Sequence, residues 1–253
     1  MEPYTDRLVL DIGNSRTKLG LFSAGRLARQ AVLANGDLSG IRNFLGAYAV
    51  ERVVLGSVVR DDAQFWSSLG SIGEVHRITG ASPSHLQNLY STPETLGVDR
   101  WANAVGASLL FPGRAVLAIS LGTCAIYDLV DSCGVYRGGI ISPGFRMRAR
   151  SMGEFTARLP VVEPVEDPLR IGLSTLDCLS AGVHHGLRSE LKATIAEIGQ
   201  QHPDLAVVLT GGDAPRFARG LENGIFAHPF LTLFGLHALS LFDRPALGAP
   251  VSG

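Results

Sequence analysis

The sequence predicts an α/β protein of two lobes around a cleft, built by using one strand–turn–strand unit twice. Arg7 to Phe22, RLVLDIGNSRTKLGLF, sets two apolar runs around a Gly/Asn/Ser turn, the pattern of a hairpin. Ala118 to Val130, AISLGTCAIYDLV, repeats it, with Ser120-Leu121-Gly122-Thr123 aligned on Asp11-Ile12-Gly13-Asn14. Recurrence of a supersecondary unit signals internal duplication, and strand-like and helix-like runs alternate through both halves, as in α/β proteins. Two buried hairpins can look alike by chance, but here each copy opens a half of nearly equal length.

In chain order, the hairpin from Arg7 is followed by a buried strand over Arg52 to Val59 and a helix over Trp101 to Leu110. Phe111-Pro112-Gly113-Arg114 breaks that helix, since Pro and Gly end helices, and places the lobe boundary: 1–113 and 114–253. The second hairpin leads into a strand over Gly134 to Ile141 and a helix within Pro143 to Leu159. A long amphipathic helix over Thr175 to Ile198 follows, then a strand over Ala206 to Thr210 that runs into Gly211-Gly212-Asp213. The tail from Pro245 to Gly253 is small and Pro/Gly-rich, a composition that frays.

Composition excludes several classes. With 253 residues, 46% hydrophobic and 18% charged, there is ample material for a core. A net charge of −1 with no long basic run argues against a nucleic-acid or anionic-membrane surface, because those need clustered Lys and Arg. Arg146, Arg148 and Arg150 are a short exception, read as a solvated helix face. Cys124, Cys133 and Cys178 suit neither a disulfide framework nor a metal site. The N-terminal MEPYTDRLVLDIG shows no signal pattern, and the longest nearly apolar stretch, Ala115 to Tyr127, falls short of the ~20 residues of a membrane helix. The expectation is a soluble, reduced, cytoplasmic protein with neither nucleic-acid nor membrane partners.

The chemistry concentrates in a few turns. Asp11 to Lys18 places an acid at a strand end before a Gly turn with amide and hydroxyl side chains. Glycine lets the backbone approach an anion, and N–H groups and hydroxyls donate to it. The acid itself cannot hold phosphate, so it implies Mg²⁺ bound through water. Neither GxxxxGKS/T nor GxGxxG is present, and an ordinary hairpin turn remains the competing reading. Gly122-Thr123 and Thr210-Gly211-Gly212-Asp213 are further strand-end glycine turns; singly they are turn chemistry, jointly they point to phosphates. In Asn88 to Trp101, NLYSTPETLGVDRW, Asp99 reads either as a helix cap or as a base accepting a hydroxyl proton, with Arg100 binding an acidic substrate group.

These segments, in this order, resemble the type III pantothenate kinases. The family's D-x-G-N-S/T loop corresponds to Asp11 to Lys18. Its N-x-Y-x-x-P-x-x-L-G-x-D-R segment matches Asn88, Tyr90, Pro93, Leu96, Gly97, Asp99 and Arg100. Its second glycine loop matches Gly122-Thr123 and Asp128; its G-G-x-I-x-P-G matches Gly138, Gly139, Ile141, Pro143 and Gly144; its T-G-G matches Thr210 to Gly212. The resemblance runs from residue 8 to about 240. It implies a duplicated actin-like (ribonuclease H-like) fold and ATP-dependent phosphorylation of pantothenate, the first step towards coenzyme A.

By position, the resemblance assigns ATP phosphates to Asp11, Ile12, Gly13, Asn14, Ser15, Arg16, Thr17, Lys18 and Thr123, and Mg²⁺ to Asp11. It assigns pantothenate to Tyr90, Gly97, Val98, Asp99 and Arg100, with Asp99 the proton acceptor. Thr175 would reach pantothenate from the neighbouring subunit of a homodimer. One departure stands out: the family opens its second loop with an acid that helps hold a monovalent cation (K⁺ or NH₄⁺), and this chain has Ser120 there, with Ile126 in place of a second Thr. A catalytically impaired nucleotide- or pantothenate-binding regulatory protein, motivated by Ser120, and a sugar or acetate kinase of the same superfamily are the alternatives.

The remaining suspects read as structural. His184-His185 lacks a carboxylate or Cys at metal spacing, Cys124 is a small buried hydrophobe, and Phe230 to Leu239 is core or dimer seam.

Overall fold

The computed structural model describes residues 6–58, 63–163, 165, 167–219, 221 and 225–242. The chain divides into two compact units: Met1–Gly106 with Leu231–Gly253, and Ala107–Phe230.

In the first unit β1 (Arg7–Ile12), β2 (Thr17–Ser23) and β3 (Arg26–Leu33) form an antiparallel meander. After α1 (Leu38–Leu45), β4 (Arg52–Ser57) lies parallel to β1; after α2 (Ala63–Leu69), β5 (Glu74–Arg77) lies parallel to β4. The strand order is β3-β2-β1-β4-β5. A two-residue strand β6 (Gln87–Asn88), a 3₁₀ turn (Pro93–Thr95) and α3 (Val98–Leu110) follow.

The second unit repeats this plan. β7 (Val116–Leu121), β8 (Cys124–Val130) and β9 (Val135–Pro143) form the meander, followed by α4 (Phe145–Glu154) and α5 (Thr175–Gln201). β10 (Ala206–Thr210) is parallel to β7, and after α6 (Ala214–Ala218), β11 (Ile225–Ala227) is parallel to β10. The order β11-β10-β7-β8-β9 is the first unit's order, strand for strand. The duplication visible in the two hairpins therefore extends to five strands.

The unit boundaries differ from the expected cut at Gly113. The last described helix, α7 (Leu231–Phe242), packs on β1, β2 and β4 of the first unit. Leu231, Leu233, Leu236 and Leu239 are fully buried, so the apolar run read as core or seam is core. Both sides of α7 find partners, which a helix apolar round most of its circumference requires. Beneath it lies the sheet; beside it lies α3, so close that a Cβ on Gly235 would stand 1.8 Å from the Ala102 carbonyl oxygen. Thr232 Oγ1 donates to Asn103 Oδ1 at 3.0 Å across the same contact.

Most expected elements are present with shifted ends: β4 ends at Ser57, α3 begins at Val98, and α4 is confined to Phe145–Glu154. Val59 and the tail from Pro245 to Gly253 lie outside the described residues. α5 and β10 start where the sequence placed them.

Candidate active site

Leu8, Leu10 and Ile12 of β1 enter the core cluster shared with Ile41, Phe44 and Leu45 of α1. Side chains alternate along a strand, so Asp11 lies on the other face. Gly20 and Phe22 share that face, against Leu233 and His237 of α7. Across the hairpin Asp11 pairs in register with Lys18, whose Nζ stands 3.9 Å from Oδ2. The Asp11 side chain is only 13% exposed. Burial pushes its carboxyl up to about 6, Lys18 pulls it partly back, and the negative charge of Asp99 pushes it up again.

The turn between the strands closes with Gly13 N–H donating to the Arg16 carbonyl at 3.1 Å, and Asn14, Ser15 and Arg16 are exposed. Thr17 is buried instead. Its hydroxyl donates to Asn35 Oδ1 at 2.9 Å, and Asn35 Nδ2 donates to the Gly13 carbonyl at 2.9 Å. Thr17 thus fixes the loop's shape and does not offer its hydroxyl outward. Asn35, which the sequence reading missed, is the brace. Its only sequence signal is the Asn35-Gly36 turn, with Gly36 at φ +80.

Asp99 lies inside the first turn of α3, not at its cap, because the helix starts at Val98 and Trp101 N–H donates to the Gly97 carbonyl at 3.1 Å. Its Oδ1 accepts the Arg100 N–H at 2.9 Å. Burial raises the Asp99 carboxyl, while backbone N–H bonds and the charges of Arg100 and Lys18 oppose the rise. Asp11, Lys18 and Asp99 therefore form one electrostatic group, with the lysine acting on both acids.

Arg100 is 6% exposed. Its guanidinium stacks over the Tyr90 ring at 5.4 Å and Nη1 reaches the Tyr90 hydroxyl at 3.4 Å. Tyr90 N–H donates to Asn88 Oδ1 at 2.9 Å, Asn88 Nδ2 to the Gly80 carbonyl at 3.4 Å, and Trp101 Nε1 to the Ser82 carbonyl at 2.9 Å. These contacts hold the stretch from Gly80 to Tyr90 against the start of α3. Tyr90, Asp99 and Arg100, predicted together, are brought together.

In the second unit Leu117, Ile119 and Leu121 enter that unit's core, so Ser120 takes the opposite face by the same alternation. Opposite Ser120 in the hairpin stands Ile126, where the first unit has Lys18 opposite Asp11. Thr210 flanks Ser120 on β10; its hydroxyl is buried with no hydrogen-bond partner among the described residues. Gly122 N–H donates to the Cys124 carbonyl at 3.0 Å and leaves Thr123 exposed. Asp213 N–H donates to the Leu121 carbonyl at 3.0 Å, which sets the late glycine turn beside the Gly122-Thr123 turn. Burial raises the Asp213 carboxyl, against the opposing charges of Arg146 and Arg216.

Ser120 brings no charge of its own to a monovalent-cation site. The two carboxylates nearest in sequence are engaged elsewhere. Asp128, 1% exposed, accepts the Tyr136 hydroxyl at 2.8 Å. Asp131 accepts the N–H groups of Cys133 and Val135, each at 3.0 Å, and Arg137 Nε at 2.8 Å. Mg²⁺ does fit Asp11: a buried carboxylate with a second anion nearby is a hard-oxygen environment suited to an ion that keeps most of its water, although no three His, Cys, Asp or Glu gather among the described residues.

Thr175 is the exposed first residue of α5. Ser174 caps the helix, its Oγ accepting Asp177 N–H at 3.2 Å. Its chain neighbours Leu173 and Leu176 are exposed at 88% and 55%, and among the described residues more than half of the exposed large hydrophobics lie between Ile140 and Leu176.

Of the residues read as structural, one changes its setting and one keeps it. Arg148 is not on a solvated face; it pairs with Glu190 and is 22% exposed, because its partner comes from α5. His184 is buried and stacks on Phe217 at 5.3 Å. Among the described residues no helix is long and apolar enough to cross a membrane.

A five-strand unit used twice, with a largely buried acid near the end of the first unit's first strand, is the arrangement of the actin-like fold. A solved ROK family glucokinase from Streptomyces griseus, in complex with glucose and AMPPNP, superposes with a TM-score of 0.51 at 13% identity, covering 94% of this chain and 99% of that one. A structure from Campylobacter jejuni, of a protein assigned to the Baf family of transcriptional activators, gives 0.58 at 19% identity over 92% and 96%. At such identities these show the fold alone. The chain belongs to the type III pantothenate kinase family, whose profile matches residues 7–197. Type III pantothenate kinases from Phocaeicola vulgatus and Christiangramia forsetii are 37% and 36% identical, over 93% and 94% of this chain and 98% of each relative.

Proposed function

We propose that this protein transfers the γ-phosphoryl group of ATP to the primary hydroxyl of pantothenate, giving 4'-phosphopantothenate and ADP. Family membership supports the activity. The observation that carries the residue roles is the grouping of Asp11, Lys18 and Asp99 beside the stacked Tyr90–Arg100 pair.

Phosphoryl transfer asks a protein chiefly to position reactants and neutralise charge. The exposed turn Gly13 to Arg16 presents backbone N–H groups and the Asn14 and Ser15 side chains to the phosphates, with Lys18 adding positive charge; Ile12 and the buried Thr17 support the turn from behind. Thr123, exposed in its glycine turn, serves the nucleotide. Asp11 would hold Mg²⁺, which when bound would supply charge neutralisation at the phosphates. Asp99 accepts the proton as the pantothenate oxygen bonds to phosphorus and the bond to the β–γ bridging oxygen breaks. A carboxyl raised by burial is the better base for that step. Arg100, oriented by Tyr90, binds the pantothenate carboxylate, and Gly97 and Val98 shape the approach.

The exposed Ile171, Leu173 and Leu176 beside Thr175 in the chain support a homodimer, because large apolar side chains left in water are the kind of surface that a protein–protein contact covers. Thr175 would then reach pantothenate bound to the partner subunit.

Purified protein incubated with ATP, Mg²⁺ and pantothenate should yield 4'-phosphopantothenate by mass spectrometry. ATP binding without that product would identify instead a nucleotide-binding relative without turnover; phosphorylation of a sugar or acetate but not pantothenate would move it to another branch of the superfamily.

A further inference from the structure

The second unit contains a charged network that the phosphoryl-transfer chemistry does not use. Glu190, in the middle of α5, accepts the Tyr127 hydroxyl of β8 at 2.8 Å and the Ser142 hydroxyl of β9 at 2.6 Å on Oε1. Its Oε2 pairs with Arg148 Nη2 of α4. Burial alone would raise this carboxyl, but the three donors hold it below its usual value. Donors from three elements meeting on one carboxylate make a rigid anchor, since each bond restrains the others.

The anchor is aimed at one turn. Arg148 Nε donates to the Pro143 carbonyl at 2.8 Å, and its Nη2 to Ser142 Oγ at 3.0 Å. Pro143 and Gly144 link β9 to α4, and Gly144 N–H donates to the Thr123 carbonyl at 3.1 Å. A Cβ on Gly144 would stand 2.2 Å from the Gly122 carbonyl oxygen and 2.5 Å from that of Thr123; only glycine lets the two turns lie against each other. A continuous path therefore runs from Glu190 through Arg148 and the Pro143-Gly144 turn to the backbone of Gly122-Thr123.

We propose that Glu190 is a positioning residue for the nucleotide: through Arg148 it sets the Gly122-Thr123 turn at the geometry that Thr123 uses on ATP. The inference rests on the reading of Thr123 given above. A purely structural ion pair, 22% and 28% exposed, would contribute little and could be replaced by apolar packing. A positioning pair cannot be replaced so, because a misplacement of about 1 Å costs roughly a hundredfold in rate.

The test measures ATP affinity by calorimetry, together with the KM for each substrate. Glu190→Gln keeps an oxygen for Tyr127 and Ser142 but loses the charge that holds Arg148. It should weaken ATP binding roughly tenfold and leave the pantothenate KM unchanged. In a Thr123→Ala background it should add nothing further. Arg148→Lys, which keeps a cation but loses the bond to Pro143, should show the same loss and covers the case in which the glutamine variant fails to fold. If Thr123→Ala weakens ATP binding while Glu190→Gln and Arg148→Lys bind ATP like the parent, or add fully to it, the positioning role is overturned. If Thr123→Ala itself binds ATP like the parent, the Thr123 reading has failed, and this inference with it.

Discussion

Lys18 stands opposite Asp11 in the first hairpin, 3.9 Å away, and its charge acts on Asp99 as well. Even with that cation beside it, the Asp11 carboxyl is raised from 3.8 to about 6, so burial outweighs the ion pair. The sign of the linkage follows. A folded state that binds the proton more tightly is favoured at low pH, and its stability falls as pH rises from the unfolded value towards the folded one. At about pH 8 the buried charge costs on the order of 3 kcal/mol at most. Asp11→Asn should therefore raise the Tm of the ligand-free protein by a few degrees at about pH 8 and leave it unchanged near pH 4, while Mg·ATP use is lost. An unchanged Mg²⁺ saturation curve in this variant would remove Asp11 from the metal.

Activity should respond to the same group. Protonated Asp11 holds no metal, so the Mg²⁺ requirement should rise as pH falls below about 6 and saturate above it. The check is the half-saturating Mg²⁺ concentration across that range, in the parent and in Lys18→Met. Without the lysine the carboxyl loses its stabilising charge, and the transition should move to higher pH. A transition at the same pH in both proteins would show that Lys18 does not tune the site.

Asp99→Asn separates base from helix support. The side chain accepts the Arg100 N–H, and asparagine can still accept it, so the Tm should move by less than about 1 kcal/mol equivalent. Turnover should fall roughly 10²- to 10⁴-fold, the usual contribution of a positioned base. Near-normal turnover in a folded variant would leave Asp99 a first-turn residue and nothing more.

The position of Asp11 was legible from local rules, a period-2 strand ending in a glycine turn. At Asp99 local rules favoured a helix cap, and only the family resemblance decided for a base. The duplication was legible from local rules. What was not legible depends on distance. Asn35 braces the Gly13 turn from 22 residues away, and Arg148 meets Glu190 across 42 residues, so the three arginines looked like a solvated face. β3 was missed because it is an edge strand, mostly exposed, with charged side chains in place of an apolar alternation. The return of α7 to the first unit is a long-range packing choice that helical periodicity alone does not encode.

Removing the Tyr90 hydroxyl tests the substrate clamp. Tyr90→Phe keeps the ring under Arg100 but deletes the hydrogen-bond partner of Nη1, and should raise the pantothenate KM by about threefold to tenfold, the effect of one hydrogen bond. Arg100→Lys loses the planar fork and should cost more. The ATP KM should not change in either; an equal rise in both KM values would place the pair outside the pantothenate site.

Leu173→Glu probes the exposed apolar residues beside Thr175 in the chain. A charge at a residue 88% exposed should leave an isolated subunit folded yet prevent a hydrophobic interface from forming. Light scattering should show a dimer in the parent and a monomer in the variant, with the pantothenate KM raised in step. A parent that is monomeric throughout would end both the dimer and the role of Thr175 within it.

The last prediction concerns Ser120, the counterpart of Asp11 in the second unit. The two positions share strand, register and face, yet the second hairpin carries neither the acid nor the cation opposite it: Ser120 faces Ile126. A carboxylate there would offer a bound monovalent cation a unit charge, worth about 4 kcal/mol at 4 Å and an effective dielectric of 20 before desolvation; a hydroxyl offers a dipole. Asp128 and Asp131 are held by Tyr136 and by Arg137 with two backbone N–H groups, so neither supplies the missing charge without breaking those bonds. Activity should therefore show little stimulation by K⁺ over Na⁺. Ser120→Asp should introduce K⁺ activation, because the buried Thr210 hydroxyl beside it is uncommitted among the described residues and can serve as a second ligand. Titrating K⁺ against activity in both proteins decides it. Strong K⁺ activation in the parent, unaltered by Ser120→Asp, would place any cation site away from this strand end.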